Sequence, residues 1–347
     1  MGHSLSGAPH LAASISRFYT PSSWIDGKAE NQLTALSHKE GILKIAAFPD
    51  LHPGKYGPVG AAILADRIFP QLVGNDIGCG MSLFLLDIPA HRLKADKTAK
   101  RLRALSTPSD SQLGTIGGGN HFCEVQTVSE IHLPVAGVSK NSVFLLVHSG
   151  SRAFGQTVFI AHALDAANGL SEPKAAAYLV AHNQAVRWAS ANRMAIAERA
   201  AKALRCAALL ICDAPHNLVE ATPNGWLHRK GAAKADQPLV PVAGSREAPS
   251  YVLVPSPPPE ALASLAHGAG RKFDRASMKA RVGNPANLSH TRFGGRVVCE
   301  DKQMLIEEAP IAYKNVQAVV ADIEGQHLAK RALTLHPFVT FKKAVPS

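Results

Sequence analysis

Two short loops of this 347-residue chain combine residue types that do chemistry. "GNDIGCGM" places a carboxylate and a thiol three residues apart, Asp76 and Cys79, with a glycine on each side of the thiol. "LAHGAGRKFDR" sets His267 among small residues, with Arg271 and Arg275 nearby. The first loop reads in two ways. Glycines turn a backbone tightly and a free cysteine is commonly a small core hydrophobe; alternatively, acid and thiolate are ligands for a cation. The second is equally open. An imidazole with space around it and cationic neighbours is a nucleophile toward phosphorus, but the same letters also fit a helix C-terminus closed by glycine, with His and Arg facing the dipole.

Four other strand ends repeat the design: "PDLHPG" with Asp50 and His52, "GGGNHFCEV" with Asn120, His121 and Glu124, "VHSGSR" with His148 and Arg152, and "DAPHN" with His216. Carboxylate, thiolate and imidazole are the ligand types that Mn, Zn, Fe or Co takes. One thiolate, one carboxylate and three imidazoles exceed the needs of one tetrahedral site. Two cations sharing a bridging ligand would use them all, and cation pairs about 3.5–4 Å apart serve chemistry at phosphorus. "GTIGGGNHF" can bring backbone N–H groups to a phosphate, yet it lacks GxxxxGK[ST], which excludes a P-loop.

The elements that must position these groups are legible as texture. "ILKIAAFPDLHPG", "GAAILADRIFPQLVGNDIGCGMSLFLLDIPA" and "SVFLLVHSGSR" are short apolar runs between turn residues, predicting buried strands that end in loops. From Pro173 to Leu204 the chain is Ala-rich, free of internal Gly and Pro, and apolar at helical spacing, predicting one long helix. Strand texture returns in "AALLICDAPHNLVE" and "PSYVLVPS"; "SPPPEALASLAHGAGR" predicts a helix running into a glycine turn, and Asn315 to Leu333 a last helix before a short basic tail. The expectation is a single α+β domain over residues 1–347, with a mixed β core and flanking helices, residues 1–20 lying outside the ordered part.

Composition narrows the class. Hydrophobic residues make up 46% and charged residues 18%, ordinary for a globular chain, and no apolar run reaches the roughly 18 residues of a membrane span. The start, "MGHSLSGAPHLAASISRFYT", has no basic end followed by an apolar block, so the cytoplasm is expected. The net charge of +11 suits a polyanionic partner. Five cysteines without a CxxC pair argue against a disulfide framework and a zinc ribbon, so any functional thiol is reduced.

In order, "GNDIGCGM", "GTIGGGNHFCEV", "HSGSR", "HN" after a strand, "HRKGAA", "HGAGR" and "EAPIAYK" resemble the RtcB family of GTP- and Mn-dependent RNA ligases, from about Pro49 to Lys342. "PSSWIDGKAENQL" with "PDLHPGKYGPVGAA" looks more like its shorter, release-factor-H-coupled branch, which implies a release-factor-H-like protein in the same pathway. The resemblance implies two Mn²⁺ ions on Asp76, Cys79, His121, His148 and His216, with Cys79 bridging. It implies that His267 attacks the α-phosphorus of GTP to give a guanylyl-histidine. Asn120, Phe122, Glu124, Ser245, Ser250, Gly268, Gly270, Tyr313 and Lys342 then match positions around the guanylate. An RNA 3′-phosphate, first opened from a 2′,3′-cyclic phosphate where needed, would be capped with GMP and joined to a 5′-hydroxyl, in RNA repair.

Arg152 and Arg193 are the expected holders of RNA phosphates, with a surface ion pair as the other reading of Arg193. Where the family commonly reads PGSMGTASY, this chain has "AGSREAPSY", Ala243 to Tyr251, with Arg246, Glu247 and Pro249 inside the expected guanylate pocket. Two other functions compete: a metal-dependent phosphodiesterase or phosphatase on RNA ends without ligation, and a noncatalytic RNA-binding protein.

Overall fold

Among the described residues, 12–105, 109–163, 166–283 and 288–343 of a computed structural model, three β-sheets gather the strand ends named above. The first runs in the order β1 (Ser14–Arg17), β2 (Ile42–His52), β3 (Val59–Ala65), β9 (Gly225–Lys230), β8 (Asn217–Thr222). The largest runs β11 (Val240–Val242), β12 (Ser250–Pro255), β15 (Ala329–Lys343), β5 (Phe122–Ile131), β6 (Val143–Ser149), β4 (Gly80–Leu86), β7 (Ala208–Pro215), with β14 (Arg296–Cys299) on β15. A ribbon of β10 (Ala232–Lys234) and β13 (Ser264–Ala266) completes the set. Seven α-helices flank them among the described residues: α1 (Gly27–Ser37), α2 (Ala95–Leu102), α3 (Arg152–Ala163), α4 (Lys174–Leu204), α5 (Met278–Arg281), α6 (Lys302–Glu307) and α7 (Val316–Gly325). The fold is mixed α+β, as expected, and none of the helices is long and apolar enough to cross a membrane.

The large sheet is covered on both faces, so β4 and β6 read as continuous apolar runs rather than alternating ones. On one face Phe84, Val125, Val147 and Phe341 pack with Leu102 of α2 and Ile196, Ala200 and Leu204 of α4. On the other, Leu83, Phe144 and Leu146 cluster with Val252, Leu333 and Leu335 from the opposite end of the same sheet. The sheet therefore curls toward a barrel, with β7 beside β11. Buried alanines at 185, 189, 197 and 200 let α4 approach closely. A Cβ at Gly78 would stand 2.8 Å from Val186 Cα and 2.9 Å from Ala189 Cβ, so the turn carrying Asp76 and Cys79 rests directly on that helix.

Three expectations about elements are corrected. Ser14–Arg17, placed outside the ordered part, is a strand paired in parallel with β2; residues 1–11 lie outside the described residues. "SPPPEALASLAHG" forms a short 3-10 turn over Pro259–Ala261 and then β13, because Leu265 and Ala266 are fully buried against β10 and the core. The last helix ends at Gly325, and the residues from Ala329 enter β15 and extend the expected basic tail into a buried strand; residues 344–347 lie outside the described residues.

Candidate active site

Strand register brings the candidate ligands to one end of the large sheet. In β4 and β6, Gly80 opposes Ser149 and Met81 opposes His148; on the other side of β6, Phe122 opposes His148; and Gly80 also faces Pro215 of β7. Cys79, His121, His148 and His216 therefore emerge from four neighbouring strand ends. The Asp76–Cys79 turn closes on a Cys79 N–H to Asp76 carbonyl bond, and His216 N–H donates to the Cys79 carbonyl at 2.8 Å. Gly150 leaves room for the acid: a Cβ there would sit 2.2 Å from Asp76 Oδ1.

The side chains converge. Cys79 Sγ lies 3.3 Å from His121 Nε2 and 3.3 Å from His148 Nε2. Asp76 Oδ2 stands 2.9 Å from His121 Nε2, while His148 and His216 turn their Nε2 atoms toward each other at 3.4 Å. Burial lowers the proton affinity of His148 and His216, leaving the neutral imidazoles that bind cations, and it pushes the Cys79 thiol up, with Asp76 adding to the shift. Burial also opposes ionisation of Asp76, but His121, Arg152 and Cys79 together outweigh it and hold the carboxyl below its usual range. The donor set fits a metal. Its nitrogens face one another and a sulfur without a satisfying proton pattern, and Asp76 Oδ1 is buried with no hydrogen-bond partner.

His267 follows β13 and lies against this cluster, its ring 4.5 Å from that of His216. Behind it is Asp50, fully buried. Asp50 Oδ2 lies 2.7 Å from His267 Nδ1 and accepts the His267 backbone N–H at 3.1 Å. A break in register aims this acid: Ala47 pairs with Ala61 and His52 with Val59, so Phe48 to Leu51 oppose Gly60 alone and bulge inward. With the carboxylate set beside Nδ1 as an ion-pair partner, Nε2 is the nitrogen left to react.

One cavity of about 280 Å³ joins these groups to a nucleotide-sized recess. Asn120, Phe122, Glu124, Ser245, Gly268, Gly270, Tyr313 and Lys342 line it together with His267 and the candidate metal ligands. Cross-strand pairing sets Thr340 opposite Glu124, and its hydroxyl donates to Glu124 Oε2, while Gln126 donates to Oε1 at 2.7 Å. Burial raises the Glu124 carboxyl and draws Lys342 down to about 8.

The family model described as tRNA-splicing ligase RtcB matches residues 32–109 and 92–343. The chain is 38% identical to the RNA-splicing ligase RtcB2 of Escherichia coli over 92% of its own length and 93% of the relative. The chain belongs to the RtcB family. It is also 28% identical to RtcB1 of that organism, over 86% of this chain and 90% of the relative. It is 30% identical to the RNA-splicing ligase RtcB of Mycobacterium tuberculosis, over 65% and 63% of the two lengths.

Within this RtcB chain three expected roles need correction or relocation. Arg193 is 1% exposed, and neither an RNA phosphate nor a surface ion pair describes it. Its guanidinium grips Asp213 through Nε and Nη2 at 2.8 and 2.9 Å, and Nη1 donates to the Gly78 and Ser149 carbonyls beneath the metal cluster. Arg193→Met is expected to destabilise the fold by about 3 kcal/mol, since it strands a largely buried carboxylate. The midpoint of urea unfolding measures this, and unchanged stability would restore a surface role. Ser250 does not reach the cavity; its hydroxyl receives Gln126 Nε2 and the Gly244 N–H, bracing the loop that carries Ser245. Arg152 stands behind the cavity, Nη1 3.0 Å from His121 Nδ1 and Nη2 3.4 Å from Asp110.

Sequence reasoning missed Glu308 and Thr340 as site residues, and gave Asp50 no partner. Glu308 accepts from Tyr313 OH and from Arg271 and Arg275 at 3.0 and 3.1 Å. "EAPIAYK" begins with Glu308 and contains Tyr313, but the two arginines that meet the carboxylate lie in "HGAGRKFDR", and no spacing in the sequence joins the two strings. The divergent Arg246 lines the cavity, and its side chain donates to the Glu308 and Leu305 carbonyls.

Proposed function

We propose that this chain is an RNA ligase that joins a 3′-phosphate or 2′,3′-cyclic phosphate end to a 5′-hydroxyl end through a guanylyl group carried on His267. The observation that carries the reading is the placement of His267, which has a buried carboxylate behind it, a thiol and imidazole cluster beside it and a nucleotide-sized recess in front. Membership of a family whose relatives are named as RNA-splicing ligases supports it.

GTP is the proposed nucleotide. Glu124 offers acceptors for guanine N1–H and N2–H₂, and Lys342 donates to O6, a pattern that adenine reverses. His267 Nε2 would attack the α-phosphorus; the N–P bond forms, the bond to the β-phosphate oxygen breaks, and pyrophosphate leaves. Asp50 keeps the ring proton on Nδ1 and steadies the positive charge of the product imidazolium. The RNA 3′-phosphate then takes the guanylyl group from His267, and the 5′-hydroxyl displaces GMP to form the phosphodiester. Asp76, Cys79, His121, His148 and His216 would hold two Mn²⁺ ions, which would supply positive charge to neutralise phosphate oxygens.

The proposed setting is RNA repair in the cytoplasm, with a release-factor-H-like protein in the same pathway. The test is incubation with Mn²⁺, GTP and two short RNAs, one ending in 3′-phosphate and one starting with 5′-hydroxyl. A joined product that requires GTP is expected. End trimming without joining would favour the phosphodiesterase reading instead, and the Arg246 loop in the recess is what motivates that alternative.

A further inference from the structure

The cavity does not end at His267. Past His52, Val59, Arg271 and Arg275, which line both spaces, it opens into a second cleft of about 870 Å³. Of the four aromatic side chains that line this cleft, Trp24 at 43% and Tyr56 at 39% are the exposed ones, and Tyr56 rests on Phe159 with ring centroids 5.2 Å apart. Each carries cations around its ring: Lys272 and Lys314 have Nζ 5.8 and 5.5 Å from the Trp24 centroid, Lys55 and Lys230 have theirs 5.0 and 5.7 Å from that of Tyr56. Two carboxylates line the same space, and both are engaged with backbone. Asp26 accepts the Lys28 N–H at 2.8 Å and Asp274 the Ser277 N–H at 2.9 Å. The cleft therefore presents positive charge and two exposed aromatic rings together, with ammonium groups over the rings that an incoming base would displace toward its phosphates.

We propose that this cleft seats the single-stranded part of an RNA end, with unpaired bases stacked on Trp24 and Tyr56 and phosphates drawn to Lys28, Lys55 and Lys272. The inference rests on the ligase reading for its choice of polyanion, and on the cleft for everything else. Alternating cations and exposed aromatics are how proteins hold single strands without reading sequence: the groove follows the backbone and each base offers a face. A duplex hides those faces, so the cleft selects ends that fray or overhang. The cleft is continuous with the His267 cavity at His52 and Arg271, so a strand lying on Trp24 and Tyr56 delivers its terminus toward the reacting groups. None of the three lysines belongs to the metal cluster or the guanylate recess.

The test reads binding directly, without GTP and without ligation, by fluorescence anisotropy of a short labelled single-stranded RNA. Trp24→Ala and Tyr56→Ala are each expected to weaken binding by about tenfold, the usual effect of removing one stacking partner. Trp24→Phe is expected to restore most of the loss. Thermal unfolding of each variant checks that the fold persists, and both rings are exposed enough for that. Lys55→Ala and Lys272→Ala should each flatten the dependence of log affinity on log salt by about 0.7. Matched duplex RNA should bind more weakly and lose little in the aromatic variants. Unchanged affinity in both alanine variants, equal losses for duplex, or displacement by polyglutamate as effective as by RNA would overturn the proposal. A chain that fails to label with GTP yet shows this pattern leaves the cleft standing and removes only the ligase reading.

Discussion

The His267→Ala chain is expected to take up no label from α-labelled GTP, and Asp50→Asn to label about 10³-fold or more slowly than the unaltered protein. Denaturing electrophoresis after a timed reaction measures both, and the bond should be acid-labile and alkali-stable, as a phosphoramidate is. The size of the second effect follows from the geometry. Asp50 touches His267 at Nδ1 and at the backbone N–H, and it has no exposure to water that could substitute for it. Asparagine is isosteric but can present its NH₂ to Nδ1, which moves the ring proton to Nε2 and blocks the attacking nitrogen. Loss of the same tautomer control in a Ser-His-Asp triad costs about 10⁴-fold. Metal content should not change in Asp50→Asn, because its partner is His267 rather than the cluster. A labelling rate within a few-fold of the unaltered protein would remove Asp50 from the mechanism.

Cys79→Ala should abolish both metal retention and ligation. Elemental analysis after extensive dialysis, beside the unaltered protein, gives the first, and the two-RNA joining assay the second. Cys79 Sγ is equidistant from His121 and His148, which lead to Asp76 on one side and His216 on the other. Removing it deprives both halves of the cluster of their shared donor. The bland reading, a small buried hydrophobe, makes the opposite prediction: alanine would then be tolerated with a modest loss of stability and normal metal content. The pKa directions sharpen the contrast. A thiol pushed up by burial ionises only when a cation supplies the compensating charge, so metal binding there releases a proton.

Much of this arrangement is legible in the letters because it is local. The strand after Cys79, the strand that carries His148, the strand before His216 and the Ala-rich helix over Lys174–Leu204 follow from short-range patterning. What local pattern misreads is what distant partners decide. "ALASLAHG" has helical spacing, yet Leu265 pairs across to Ala233 and is taken into the core as a strand. The residues after Gly325 keep apolar positions compatible with a helix, but β15 lies inside the sheet with neighbours on each edge, where no two-residue alternation is required. Arg193 shows the same limit for the site. An arginine on a long helix looks like a surface group until Asp213, twenty residues away, is seen to meet it inside. Glu308 and Thr340 became visible only when the fold placed them beside Tyr313 and Glu124.

The position of β15 has a consequence for how the molecule is made. It is flanked by β12 and β5, and it contributes Thr340 and Lys342 to the recess. During synthesis, the facing edges of β5 and β12 stay unpaired until this late segment leaves the ribosome, since among the described residues it is the strand that bridges them. The sheet is thus joined by contacts separated by about two hundred residues of sequence, a topology that closes slowly. A nascent or truncated chain has neither a closed sheet nor a lysine at the nucleotide recess. Assembly of the recess is thereby tied to β15, and a copy that stops before it is expected to lack both Thr340 and Lys342 there.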